Sequence, residues 1–199
     1  MPDGPGVEQP PALHAHAMDN LRFIRETMER AGPFTAVPGW GGVLMGFIAL
    51  GAAAIAGSLG DARWLVIWLA TATVCVGVGF TAMMLKARAS TARLFAAPFQ
   101  RFALAYLPPL AAGAVLTAVF VGGGFTARLP GIWLLLYGTA LATGGAMSVR
   151  IVPIMGLFYM ALGIAAFAAP ANLGNTFMAV GFGGLHIIFG LIIARRYGG

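Results

Sequence analysis

Between Gly39 and Ala194 the chain carries a single carboxylate, Asp61, and a single long polar interruption, residues 86–101, with the sequence KARASTARLFAAPFQR. An ordinary soluble domain has about 25% charged residues. Here they make up 9% of 199 residues, hydrophobic residues make up 59%, and the mean hydropathy is +0.86. A chain of this kind suits a lipid bilayer.

Six apolar segments lie within the run, at 39–58, 62–85, 102–121, 129–148, 151–169 and 176–194. Each is close to the roughly 20 residues that a bilayer core requires. Pro38 and Pro130 fall at or just before helix starts, where a missing N–H leaves no bond unmade. The pattern predicts an all-α polytopic membrane protein with six transmembrane helices in three hairpins. Residues 1–18, rich in Pro, Gly and Ala, read as a disordered tail. Residues 19–38 read as a short amphipathic helix and linker, with Leu21, Ile24, Met28 and Ala31 on one face and opposite charges at Arg22–Glu26, Arg25–Glu29 and Glu26–Arg30. Residues 39–199 form the membrane domain.

Cations orient the spans. Arg22, Arg25, Arg30, Lys86, Arg88, Arg93, Arg101, Arg150, Arg195 and Arg196 fall on one side, and only Arg63 and Arg128 on the other. The positive-inside rule puts both termini in the cytoplasm, with a bacterial inner membrane as the expected location. Net charge of +6 implies no nucleic acid, because the cations sit at helix ends and form no basic groove. Arg22, Arg25, Lys86, Arg88, Arg93 and Arg101 are expected either to meet anionic headgroups or to dock an acidic soluble partner. Glycines at small-xxx-small spacing, Gly42/Gly46, Gly138/Ala142 and Ala179/Gly183, are candidates for close helix packing.

The chemistry is sparse. Asp3, Glu8, Asp19, Glu26, Glu29 and Asp61 all lie outside the hydrocarbon, so carboxylate-based proton coupling has nothing to run on. Cys75 is the single cysteine, and His14 and His16 make at most a two-ligand pair, so neither a disulfide nor a metal site is expected. His186 stands at mid-membrane depth within GFGGLHIIFG. A polar group there needs a partner inside the protein. Candidates are Tyr106, Tyr137 and Tyr159, and carbonyls released by Pro108, Pro109 and Pro153. His186 is thus either a structural hydrogen-bonding group or a ligand- or proton-binding group in a cavity. Haem ligation would need a second histidine in a span, and no cofactor is expected.

Six spans with cytoplasmic ends and a histidine on a Gly-rich sixth helix resemble the rhomboid intramembrane proteases. That family carries its nucleophile in a G-x-S-G motif on the fourth helix. Here the fourth span reads GIWLLLYGTALATGGAMS, and its one serine, Ser148, lies at the end. The resemblance covers the sixth span alone and implies no protease. More broadly, the chain resembles small multi-pass proteins of bacterial inner membranes. With no matched acid, base and nucleophile, an enzyme is not expected. The expectation is a small-molecule or ion binding or transport module working as an oligomer; the alternative is a non-catalytic membrane subunit or anchor for a soluble cytoplasmic partner.

Overall fold

A computed structural model of the chain describes residues 10–31, 34–57, 61–89 and 97–198. The first stretch forms a unit by itself, helix α1 (Pro10–Ala31). It starts at Pro10 rather than at Asp19, as proline permits in a first helical turn. Leu21, Ile24 and Met28 are all exposed along it. The ion pairs expected on α1 involve side chains outside the described residues.

The second unit contains α2 (Gly39–Ala56), α3 (Asp61–Ala89), α4 (Ala97–Gly122), α5 (Leu129–Gly145), α6 (Ile151–Ala168) and α7 (Ala171–Tyr197). Among the described residues, α2, α3, α4, α6 and α7 are long and apolar enough to cross a membrane. At 17 residues, α5 is the short member. The chain therefore has the build of an all-α, multi-pass membrane protein.

Two inner pairs, α5 with α6 and α2 with α7, form the centre. Both depend on glycine. A Cβ on Gly156 would stand 2.6 Å from the Ala142 nitrogen and the Gly138 oxygen, and one on Gly190 would stand 2.8 Å from the Val43 nitrogen. Such contacts are with backbone, which cannot swing aside. Gly42 and Gly46 face α7, and Gly138 and Ala142 face Gly156, so the small-residue spacing marks real helix contacts. The outer helices are attached differently: α3 lies on α2 and α4 on α5, while α3 and α4 are not a packed pair. No residue of α4 is buried.

The cation-rich stretch proves more helical than a loop. α3 continues to Ala89 and α4 begins at Ala97, so Lys86 and Arg88 end one helix and Arg101 opens the next. KARA is a good helix former, and long cationic side chains at a helix end reach polar groups without breaking it. Arg93 lies outside the described residues. Lys86 is bonded within the protein. Its ammonium donates to the carbonyls of Val37 (2.8 Å), Tyr197 (3.0 Å) and Gly198, which uses all three of its donors. It caps the carbonyl end of α7 and ties it to the segment entering α2.

That segment is held from the other side as well. Phe34 N–H donates to Met147 O (2.8 Å), and Ser148 Oγ donates to Phe34 O (2.6 Å). The Phe34 ring packs on Phe99 and Phe102 at centroid distances of 5.6 and 5.0 Å. Ser148 is thus a structural latch.

Replacing Gly156 with Val should wedge α5 from α6 and lower stability by about 1–3 kcal/mol. Gly77→Val, where a Cβ meets nothing within 4 Å, should be nearly silent. Thermal unfolding of both variants in one detergent checks the contrast.

Candidate functional site

The middle of α7 is wound wide. Residues Ala179–Leu185, AVGFGGL, form a π-helical turn between ordinary α-helical segments. Its glycines are pressed on both sides. A Cβ at Gly181 would lie 2.3 Å from Leu134 Cδ2, and one at Gly183 would lie 2.4 Å from Leu50 Cδ2. Such widened turns recur at functional sites because they release backbone carbonyls from the helical ladder. Two carbonyls here meet side chains. Tyr159 Oη donates to Gly181 O (2.7 Å), and His186 Nδ1 lies 3.1 Å from Phe182 O.

His186, only 6% exposed, is held at both ring nitrogens. Tyr159 Oη stands 2.6 Å from Nδ1 and Tyr137 Oη stands 2.9 Å from Nε2. One assignment of protons satisfies all four contacts. Phe182 O can only accept, so Nδ1 carries the hydrogen. It shares that hydrogen between Phe182 O and Tyr159 Oη, whose own hydrogen goes to Gly181 O. Nε2 is then bare and accepts from Tyr137. With this assignment the ring is neutral and every partner is supplied by the protein.

Two of the three tyrosines expected around His186 therefore bond it directly. Tyr106 joins through Tyr137, standing edge-on at 6.4 Å, and is itself stacked on Phe102 at 5.2 Å. The prolines do not serve as expected. α4 runs unbroken through Pro108 and Pro109, and the carbonyl of Ala105, four residues before Pro109, accepts from Thr143 Oγ1 of α5 (2.8 Å) rather than from His186. Pro153 sits in the first turn of α6, where no ladder bond is lost.

Beside His186 lies a cleft of about 610 Å³ between α3 and α4, with α2, α5 and α7 as its floor. Pro109 lines it, whereas Pro108 does not. Its polar lining consists of Thr71, Cys75, Tyr106, Thr117, Trp133, Tyr137 and His186, and among the described residues no charged side chain faces it. Phe34, Phe99 and Phe102 close one end. Trp68 and Trp133 close the other, with Trp64 stacked on Trp133 at 5.6 Å and 15°. Asn175 fixes this second closure. Its Oδ1 accepts from the indoles of Trp64 (3.0 Å) and Trp68 (3.1 Å), and its Nδ2 donates to Ala53 O (2.9 Å). Trp133 donates to Thr117 Oγ1 (2.8 Å).

None of the cleft-lining residues is one of the expected surface cations. Arg22, Arg88 and Arg101 are exposed, and the side chain of Arg25 lies outside the described residues. Phe182, Asn175 and the Gly181 carbonyl escape a reading by residue type, because their roles depend on the π turn and on neighbours remote in sequence. The glycine run GFGG was the one visible sign of an irregular turn. Among the described residues, no group of three or more His, Cys, Asp or Glu is placed to hold a metal. Set against protein-family models, curated proteins and solved structures, the chain matches none.

Tyr159→Phe strips both the Gly181 carbonyl and the His186 N–H of a partner, and should cost about 1–3 kcal/mol. Tyr137→Phe leaves only a bare ring nitrogen at the cleft wall, and should cost less, about 0.5–1.5 kcal/mol. The order of their unfolding temperatures tests the proton assignment, as does the ¹⁵N spectrum of His186, which should show a protonated Nδ1 and a bare Nε2.

Proposed function

We propose that this protein is a small-molecule binding or transport module of a bacterial inner membrane, with six spans, three hairpins and both termini in the cytoplasm. The observation that carries the reading is the His186–Tyr137 pair in the wall of a largely apolar 610 Å³ cleft. Small-molecule sites have this character: a volume of about 300–1,000 Å³, apolar walls and a few fixed polar groups. Ions are the weaker cargo, since no described charged side chain faces the cleft. Counting α5 as the sixth span is supported by its 17 residues, at the lower limit for crossing a bilayer. Assembly of several copies belongs to the same proposal.

A second reading, an anchor for a soluble partner, draws on α1, whose Leu21, Ile24 and Met28 are exposed along one helix. Deleting residues 1–31 should then release a co-purifying polypeptide, and retention of that polypeptide would remove the reading.

Gentle extraction followed by native mass spectrometry tests the main proposal. Wild type should retain a bound small molecule, and Ala114→Trp, which fills the cleft, should lose it while unfolding at the same temperature. Wild-type protein free of any added mass would count against a ligand site. A reporter fused after Gly199 should be active only in the cytoplasm; activity outside would sink the topology.

A further inference from the structure

Aromatic side chains line both ends of the cleft: the Phe34 cluster at one, and Trp68 with the Trp64–Trp133 stack at the other. A way in lies between α3 and α4, which do not pack together. Leu69, Val76 and Phe80 on α3 and Leu107 on α4 line the cleft and are also 45–71% exposed, so they form its mouth. In a bilayer that mouth faces hydrocarbon.

Shape and chemistry narrow the occupant. From Leu69 to Met83 the lining face of α3 covers about 20 Å, so the cleft is elongated along the helix. An extended chain can follow that length. A charged head would find no counter-charge among the described lining residues and would pay the full cost of leaving water. Among the polar groups of the slot, Tyr137 has given its hydrogen to His186 Nε2, and Tyr106 shares a hydrogen bond with Tyr137. Between them the two phenols have used both hydrogens and offer a ligand only lone pairs, so the group they can bind is a donor.

Building on the ligand-binding reading, we infer that the cleft takes a neutral, chain-like molecule from the lipid phase, entering between α3 and α4 and donating a hydroxyl-type hydrogen bond to Tyr137.

Cys75, the only cysteine in the chain, lines the cleft and reports on it without any substitution. Full-length protein in permeabilised vesicles is treated with a neutral alkyl methanethiosulfonate or with its trimethylammonium counterpart, and modification is followed by mass. The neutral reagent should react about 50-fold faster or more, because a charge is excluded from hydrocarbon. Dodecan-1-ol should slow the neutral reaction, whereas dodecanoate and dodecyltrimethylammonium should not. Tyr137→Phe should weaken protection by the alcohol about threefold to tenfold.

Equal rates for the two reagents would mean that the cleft opens to water, and a cysteine that neither reagent reaches would mean that the mouth is shut. Either overturns lateral entry and leaves the ligand-binding reading standing. Equal protection by dodecanoate would overturn the ligand class alone. If Cys75 reacts with the neutral reagent and no amphiphile protects it, both the inference and the reading of the cleft as a site fall.

Discussion

A polar group inside hydrocarbon cannot borrow a partner from water, and this constraint decides which helices of this protein meet. Lys86 places its three donors on three carbonyls and so joins the end of α3 to the entry of α2 and the exit of α7. Asn175 ties α7 to α2 and α3 with one amide. Thr143 takes up the carbonyl before Pro109 and fastens α5 to α4. His186 gathers α5, α6 and α7. No buried side-chain nitrogen or oxygen among the described residues lacks a partner. Apolar contacts discriminate poorly between helices in lipid, whose tails are as apolar as leucine. The few polar side chains therefore carry much of the specificity, and each joins elements distant in the chain.

The cleft follows from how the remaining contacts are distributed. Glycine opposite backbone lets α5 approach α6 and α2 approach α7 closely. The outer helices offer less of this. Gly77 of α3 and Gly122 of α4 face open space, and Gly113 meets only a leucine methyl. Each outer helix leans on one inner neighbour, and the side chains between them, Phe80, Met83, Tyr106 and Leu110 among them, do not close the gap. The same economy of glycine explains the π turn. Gly181 and Gly183 bring α7 against Leu134 and Leu50, and the widened winding turns two carbonyls toward Tyr159 and His186.

Much of this architecture was legible in residue order, and the failures have a common cause. Apolar length marked the membrane helices, and a lone histidine among tyrosines marked the bonded group, because both depend only on what hydrocarbon tolerates. Hydropathy measures how polar a residue is and says nothing of which partner it finds. Charge alone therefore offers Lys86 headgroups or an acidic partner and not the helix end that it caps, and it hides the helical extent of KARA. Pro108 and Pro109 were read as releasing carbonyls toward His186, whereas the neighbouring threonine on α5 is nearer. The helical start at Pro10 was obscured by the turn-like composition of the first residues.

His186 links the buried lattice to the cleft through a single hydrogen. While Nε2 is bare, the Tyr137 hydrogen points at the ring, and Tyr137 offers the cleft an acceptor. A second proton on the ring would reverse this. Nε2–H would then occupy the Tyr137 oxygen, and the phenolic hydrogen would turn away from the ring as a donor, toward Tyr106 and the cleft. Tyr159 would not notice, because its hydrogen is held by Gly181 O and its oxygen already accepts from Nδ1. The asymmetry makes Tyr159 the fixed support and Tyr137 the side turned to the cleft. The hydrogen-bonding sense that Tyr137 presents there is therefore set on α7, by whether His186 carries one proton or two.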